Sequence, residues 1–423
     1  MKKAFNSRFA INTSWIAIGR IFQVGITFVV TMFVARYLDP EEYGLLGYTY
    51  SYVVIISSLA SLGMNDIVVK ELMDEENNKE EVLGTIAGLR IIASIASILL
   101  INIIISLIYD EKLIRTVALL QSLSMLFQTF DTLNYFYHSQ MLSKKTAIIN
   151  IISYTLSALF RIYGLLTEKD VKWFAFAVSL DFLLVSLLLV FVYFTDGYHF
   201  KFSFELGKKL LAKSYNYIFA GLMIGLYGKA DTLILGLLVD ETNVGYYLPA
   251  TTICNAWPFL LQAIIDSSSP IIIDKHNGDR QEYEKRLKQL YAAIFYLSLA
   301  VSIFILIFSK QIIGIIYGSN YAKAQLPLII VSLSTAFSYF GVSRGIWMQC
   351  ENKVAYEKII YLFGAISNII LNIILVSLYG INGAAIALTL TQILTNFVFV
   401  YLLPATRGNA KLILDAIMLK GVF

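Results

Sequence analysis

Nine ionisable side chains fall inside long apolar stretches of this 423-residue sequence. A charge in the middle of a bilayer costs ~2.5–3.5 kcal/mol on insertion scales, so such residues are functional candidates. Five bases against four acids favour an anionic substrate. The basic candidates are Arg20, Arg90, Arg161, Lys229 and Arg344. The acidic ones are Asp131, Asp181, Asp231 and Asp266.

Polar residues accompany several of these charges at helical spacing, so that Gln23 follows Arg20 and Ser94 follows Arg90 on one face. Such polar stripes line either a wet central cavity or contacts between helices. For single Ser, Thr and Asn residues the helix contact is the commoner case, whereas arginines heading stripes on three alternating helices favour a cavity. The polar residues predicted to face the cavity are Gln23, Ser94, Asn150, Asn255, Gln262, Asn368 and Asn372.

The remaining chemistry-bearing residues exclude most enzymes. The three histidines are isolated, so no zinc site is predicted, and nothing resembles a phosphate-binding G-x-x-x-x-G-K-[ST] loop. The sequence therefore predicts no metal, no cofactor and no catalysis. Asp131, Asp231 and Asp266 could couple transport to an ion, and Asp181 is expected to pair with a base on a neighbouring helix.

The elements that must position these residues are membrane-spanning helices. Hydrophobic residues make up 58% of the chain, charged residues 15%, and the mean hydropathy is +0.70. About 20 apolar residues cross the ~30 Å hydrocarbon core, and the sequence predicts an all-α integral membrane protein with twelve such spans. The predicted spans are 10–36, 44–64, 83–108, 116–138, 146–166, 173–194, 216–239, 245–272, 288–309, 325–349, 357–379 and 382–403.

Lysine and arginine counts give the orientation, because basic loops stay cytoplasmic. With the amino terminus inside, the inner segments carry 21 of these residues and the outer loops 6. Both termini are therefore predicted to be cytoplasmic. A net charge of +4 indicates no nucleic-acid partner. The short outer loops leave no room for an extracellular catalytic domain.

Equivalent residues recur at a fixed offset and indicate a duplication. Asp39 and Asp240 are 201 positions apart, as are Gly44 and Gly245. Transporters are often built from such repeats, with the site between them. We predict an N-lobe over 1–200 and a C-lobe over 201–423, each with six helices, joined near 197–214 by an interfacial amphipathic link, with a solvated loop as the alternative.

Several segments resemble one family in order along the chain. They are RYLDPEEYG, LGMNDIVVKEL, KADTLILG, VGYYLPA, YGSNYAKA and NIILNIILVSLYGINGAAIA. Together they resemble the polysaccharide transport family, which includes the Wzx-type flippases of O-antigen and capsule repeat units. That family belongs to the multidrug, oligosaccharidyl-lipid and polysaccharide exporter superfamily.

This resemblance implies a fold and a function. It implies two six-helix lobes around a central cavity that opens alternately to each side. It implies export of undecaprenyl-diphosphate-linked oligosaccharide across a bacterial inner membrane, with a cationic lumen for which the five bases are the candidates. Membrane lipid, a polysaccharide polymerase and chain-length proteins are the implied partners.

Three alternatives stay open. A drug or metabolite exporter of the same superfamily would favour an acidic, aromatic pocket. A membrane-embedded polymerase or glycosyltransferase is disfavoured by the short outer loops, and a nontransporting scaffold has no reason to keep polar stripes on so many helices. The sugar composition, the coupling ion and the oligomeric state cannot be read from the sequence.

Overall fold

A computed structural model describes residues 2–74, 78–276 and 278–422, and over these the chain is helical with short connections. Ten helical stretches within the described residues are long and apolar enough to cross a bilayer. The chain is thus a multi-pass membrane protein, as the hydropathy predicts.

There are ten stretches and not twelve because two of them are long enough for two crossings each. Asn12–Ala60 and Val354–Leu402 each have 49 residues, more than twice the length that one crossing needs. Each contains two predicted spans, and the helix bends between them at Asp39 (φ 61°) and Gly380 (φ 54°). The number of crossings therefore stays a prediction of twelve.

Two compact units divide the chain. The first comprises Met1–Leu38 and Leu45–Lys229, and the second Asp39–Gly44 and Ala230–Phe423. The predicted lobes, 1–200 and 201–423, remain a prediction. The helices that begin in the first unit are α1 (Lys2–Ala60), α2 (Asn65–Met73), α3 (Lys79–Ile108), α4 (Lys112–Ser122), α5 (Ser124–Gln128), α6 (Thr132–Ser139), α7 (Ser143–Leu166), α8 (Val171–Thr195) and α9 (Phe204–Leu238).

The second unit holds the end of α9 and the helices that follow it. A π-helical turn, Leu394–Val398, interrupts its last span. Its helices are α10 (Glu241–Ala256), α11 (Phe259–His276), α12 (Arg280–Ile316), α13 (Gln325–Ser332), α14 (Ser334–Cys350), α15 (Glu357–Ile393), α16 (Phe399–Leu402) and α17 (Arg407–Ile417).

The duplicated residues meet in the second unit. Asp39 accepts hydrogen bonds from the backbone N–H groups of Glu41 and Glu42 at 3.0 and 3.3 Å, and Asp240 caps α10 in the same way. These are ordinary helix N-caps, and Pro40 suits the first turn. A Cβ on Gly44 would overlap the carbonyl oxygen of Glu241, and one on Gly245 would overlap that of Pro40. The two helix starts therefore cross backbone against backbone.

Gly245→Ala should destabilise this crossing. The added methyl cannot displace backbone atoms cheaply, and overpacking of this kind costs about 1–3 kcal/mol. We expect a lower thermal unfolding midpoint for the purified protein. Gly345→Ala on α14 is the matched control, because a Cβ there meets nothing within 4 Å. Equal midpoints for the two variants would contradict the crossing.

The segment predicted as a link contains the start of helix α9. Helix α9 starts at Phe204 and continues without a break into the span, so 204–214 forms the first part of α9, and its place at the membrane interface stays a prediction. The preceding segment docks on α3: the Lys201 N–H donates to the Glu80 carbonyl at 3.2 Å, and the Ser203 N–H donates to Thr85 Oγ1 at 2.9 Å. A Cβ on Gly84 would overlap the Lys201 backbone. The first glycine of the Gly84-x-x-x-Gly88 motif thus accommodates this segment.

An ion pair joins α7 to the end of α8. Lys145 Nζ donates to both oxygens of Asp196 at 2.7 Å, and the Tyr137 hydroxyl donates to the same carboxylate at 2.8 Å. The hydrogen bond from Lys145 holds the pKa of Asp196 below its ordinary value. The contribution to stability is therefore complete above the ordinary carboxyl pKa and is lost only as pH falls through the lowered value.

Candidate functional site

A polar cavity in the first unit surrounds Arg90. This residue is only 2% exposed. Its Nε donates to the carbonyl of Ser61 at 3.1 Å, and its Nη2 donates to Asn65 Oδ1 at 2.5 Å, so both partners aim the guanidinium. The cavity has a volume of about 60 Å³, space for roughly two water molecules. It is lined by Ser57, Ala60, Ser61, Asn65, Arg90, Met125, Gln128, Thr129 and Asp131.

Asp131 lines this cavity, and Arg20 lies within electrostatic range of Asp131. Asp131 is exposed, accepts a hydrogen bond from Asn134 Nδ2 at 2.7 Å, and lies within electrostatic range of both Arg90 and Arg20. Arg20 is exposed. Within the described residues, neither arginine has a carboxylate within 4.0 Å. The structure thus brings together two of the predicted bases and one predicted acid, and both guanidinium groups keep donors for an anionic ligand.

Arg161 is placed differently from the prediction of a free cavity base. Its Nη1 and Nη2 donate to the two oxygens of Asp181 at 2.8 and 2.7 Å, and its side chain is 15% exposed. Ser157 and the Ala177 carbonyl accept its other hydrogen bonds. The expectation that Asp181 pairs with a neighbouring base is met by this contact. Arg161 is neutralised, and its contact with a substrate stays a prediction.

The polar stripes of the first unit supply hydrogen bonds between helices and part of the edge of the cavity. Gln23 Nε2 donates to the Tyr154 hydroxyl at 2.5 Å, joining α1 to α7. Ser94 is buried and donates to the Met125 carbonyl at 3.0 Å beside the cavity. Asn150 is half-buried on α7. Single serines therefore pack between helices, as their ordinary role predicts.

Sequence reasoning did not select three residues that shape the site. Asn65 holds Arg90, Asn134 holds Asp131, and Tyr154 holds Gln23. Helical spacing could have identified two of them. Asn134 is three positions after Asp131, and Tyr154 is four positions after Asn150, on the same helical stripe. Asn65 lies on a different helix from Arg90, so no spacing rule links them.

The charges near the start of the second unit are separated. Lys229 is half-buried at the last position of the first unit. Asp231 is 5% exposed, accepts a hydrogen bond from the Tyr247 hydroxyl at 2.5 Å, and accepts one from the Thr232 N–H at 2.8 Å. These partners are hydrogen-bond donors and not bases.

Arg344 is fully buried inside the second unit, where the prediction makes it a cavity base. It donates from Nη1 to Asn396 Oδ1 at 3.3 Å, and its guanidinium lies 5.7 Å from the ring centroid of Tyr361. Its Nε and Nη2 have no hydrogen-bond partner among the described residues. In this conformation the side chain is closed to any ligand, and its substrate contact stays a prediction.

Replacing Arg344 with Met should leave stability equal or higher. A buried charge without a carboxylate partner costs more free energy than an apolar side chain of similar length. We expect the purified variant to unfold at the wild-type midpoint or above it. A clearly lower midpoint would mean that the contacts with Asn396 and Tyr361 outweigh the desolvation of the guanidinium.

The other predicted polar residues of the second unit divide between interior and surface. Asn368 and Asn372 are buried; their amides donate to Thr391 Oγ1 at 3.3 Å and to the Asn368 carbonyl at 2.9 Å. Gln262 Nε2 donates to the exposed Asp266 at 2.8 Å. Asn255 is exposed. Across the described ranges, no group of three His, Cys, Asp or Glu residues could hold a metal ion.

A family model described as polysaccharide biosynthesis protein matches residues 33–326. The candidate low-salt glycan biosynthesis flippase Agl15 of Haloferax volcanii is 26% identical over 166 residues, which cover 39% of this chain and 35% of that protein. A candidate O-antigen transporter of Escherichia coli is 21% identical over 399 residues, covering 90% of this chain and 92% of that one.

Similarity to solved structures concerns the fold. The lipid II flippase MurJ in an inward closed conformation superposes with a TM-score of 0.72 at 14% identity, over 98% of this chain and 92% of that one. The chain therefore has the helical fold of a membrane transporter. The match with Agl15 spans about a third of that protein's length.

Proposed function

The chain belongs to the polysaccharide biosynthesis protein family, and from this membership we propose that it is a flippase for lipid-linked oligosaccharide. In this proposal it moves undecaprenyl-diphosphate-linked repeat units from the inner to the outer leaflet by alternating access. It makes and breaks no covalent bond.

The physical chemistry of the substrate supports this proposal. A diphosphate carries about two negative charges, and its transfer into hydrocarbon is prohibitive unless fixed cations and donors replace water. The sugar hydroxyls lose hydrogen bonds in the same way. A polar, cationic surface offsets both costs while the lipid tail stays in the bilayer.

One observation carries the proposal. Arg90 and Asp131 line the same polar cavity of the first unit, Arg20 lies within electrostatic range of Asp131, and neither arginine has a carboxylate salt bridge in the described part of the chain. The 60 Å³ cavity admits only a small polar group, so it serves as a phosphate subsite, and the glycan lies outside it. Lys229 would extend the cationic surface.

The driving force and setting form part of the proposal. Moving each negative charge outward across an inside-negative membrane gains ~2.3 kcal/mol per 100 mV, which favours export without ATP. The termini would be cytoplasmic and the membrane the bacterial inner one. Asp131, Asp231 and Asp266 are the candidates for ion coupling, and a polymerase and chain-length proteins are the candidate partners.

A reconstituted assay tests this function. Purified protein in proteoliposomes should move a fluorescent undecaprenyl-diphosphate-linked oligosaccharide into the leaflet where an added enzyme or quencher reaches it. Protein-free vesicles give the background. Background rates for the glycan together with uptake of a cationic dye such as ethidium would replace the flippase with the drug-exporter alternative.

A further inference from the structure

A groove between α11 and α12 of the second unit combines an apolar wall with one basic edge. Its volume is about 160 Å³. Ile264, Ile272, Leu290 and Ala293 supply apolar surface, and Arg286 and Gln289 supply polar atoms. It lies within the second unit, apart from the polar cavity around Arg90.

The basic residue and the apolar residues of the groove lie at different depths along the helices. Arg286 lies six residues into α12, and Ala293 lies seven residues further, about 10 Å deeper at 1.5 Å per residue. The loop before α12 is on the predicted inner side, so the basic edge falls near the headgroups and the apolar wall faces the hydrocarbon. This order matches an amphiphile with an anionic head.

Arg286 keeps donors for such a head. Its Nε donates to Glu282 Oε1 at 2.7 Å, and its Nη1 contacts Gln289 Oε1 at 3.4 Å. A guanidinium has five N–H groups, so three are left for phosphate oxygens. Its side chain is 46% exposed. Because Glu282 offsets its charge, burial of the hydrocarbon chain has to supply most of the affinity, and Arg286 sets the orientation.

The volume selects a single chain. An apolar cavity of about 150 Å³ holds one benzene ring, or six carbon atoms. The groove therefore accommodates the start of one hydrocarbon chain. We propose that this groove binds the phosphate end of a polyprenyl phosphate, with its first isoprene unit against Ala293 and Leu290 and its phosphate on Arg286. The proposal rests on the proposed function, since the substrate's lipid is a polyprenyl phosphate; the groove is a second seat for it, occupied when the diphosphate is not in the cavity around Arg90.

Binding of undecaprenyl phosphate to the detergent-purified protein tests the groove. Ala293→Trp fills it and should weaken binding by about tenfold or more. Ile303→Trp adds the same ring to an exposed apolar position on the same helix and should stay within about twofold of wild type. Arg286→Gln should abolish the preference for undecaprenyl phosphate over uncharged undecaprenol. Equal binding by the two Trp variants would overturn the proposal.

A second measurement avoids bulky substitutions. Ser268 lines the groove and is half-buried, whereas Ser267 beside it is exposed. Undecaprenyl phosphate should slow maleimide labelling of Ser268→Cys and leave Ser267→Cys unaffected. Unchanged labelling of both would refute the groove, as would equal protection by phosphatidylglycerol, which would make it a general phospholipid site.

The two proposals fail in different ways. A wild-type protein that flips glycan while binding is indifferent to Ala293→Trp refutes the groove alone. A protein that binds undecaprenyl phosphate in the groove but never flips the glycan refutes the transport function and leaves the lipid site standing.

Discussion

Asp181→Ala is expected to destabilise the protein by about 3–5 kcal/mol, because it leaves a buried guanidinium without its carboxylate. Arg161 is 15% exposed and makes two parallel hydrogen bonds to Asp181, the strongest geometry for this pair. Removing one partner forfeits these bonds and keeps the desolvation cost. A fall in the thermal unfolding midpoint and in the amount of protein in membranes should report the effect.

A double variant separates structure from transport. Replacing both residues with Leu removes the unpaired charge, and apolar replacements of buried pairs are often neutral in stability. The thermal unfolding midpoint of such a variant should lie close to that of the wild type and well above that of Asp181→Ala. If it is stable and still exports glycan, Arg161 serves only to join α7 to α8. An Asp181→Ala protein as stable as wild type would contradict the buried pair.

Arg90→Ala should have the largest effect on transport. Charge-assisted hydrogen bonds contribute about 1.5–3 kcal/mol, so loss of the guanidinium should lower the flipping rate by roughly 10- to 100-fold. Arg90→Lys should recover only part of this rate, because a single ammonium replaces the planar fork that Ser61 and Asn65 hold. The proteoliposome assay measures both variants.

The matched control is Arg407→Ala. Arg407 is an exposed arginine at the start of α17, outside the candidate spans, and donates to the Tyr401 carbonyl at 3.0 Å. It should flip glycan at the wild-type rate. Wild-type rates for Arg90→Ala would remove Arg90 from the substrate path, and equal losses in Arg90→Ala and Arg407→Ala would point to a general effect of lost positive charge.

The helical membrane architecture was predictable because each span carries its own signal in hydropathy. The duplication stays a prediction, but two of the residues that indicated it, Gly44 and Gly245, lie where the backbones of two helix starts cross. What hydropathy could not give is the geometry at Asp39, where the backbone leaves the helical conformation (φ 61°) and Asp39 caps the start of the next helical segment.

The partners of the charged residues were less accessible to sequence reasoning. Periodicity places Arg90 and Arg161 on polar faces, and Arg344 was selected only as a base inside an apolar stretch; neither observation identifies the residues on the helix opposite. Arg90 meets Asn65, Arg161 meets Asp181, and Arg344 meets Asn396. These three arginines lie in three different environments: Arg90 beside a cavity, Arg161 in a salt bridge and Arg344 in a closed interior. The packing of other helices decides each environment.

Equilibrium binding of two ligands that differ in phosphate tests the recognition of the diphosphate most directly. Purified protein should bind an undecaprenyl-diphosphate-linked oligosaccharide about tenfold or more tightly than the same oligosaccharide on a neutral lipid. The Arg20→Gln, Arg90→Gln double variant should lose most of this preference, and Arg286 accounts for what is left. Equal binding of the two ligands by the wild-type protein, or an unchanged preference in the double variant, would contradict recognition of the diphosphate by these arginines.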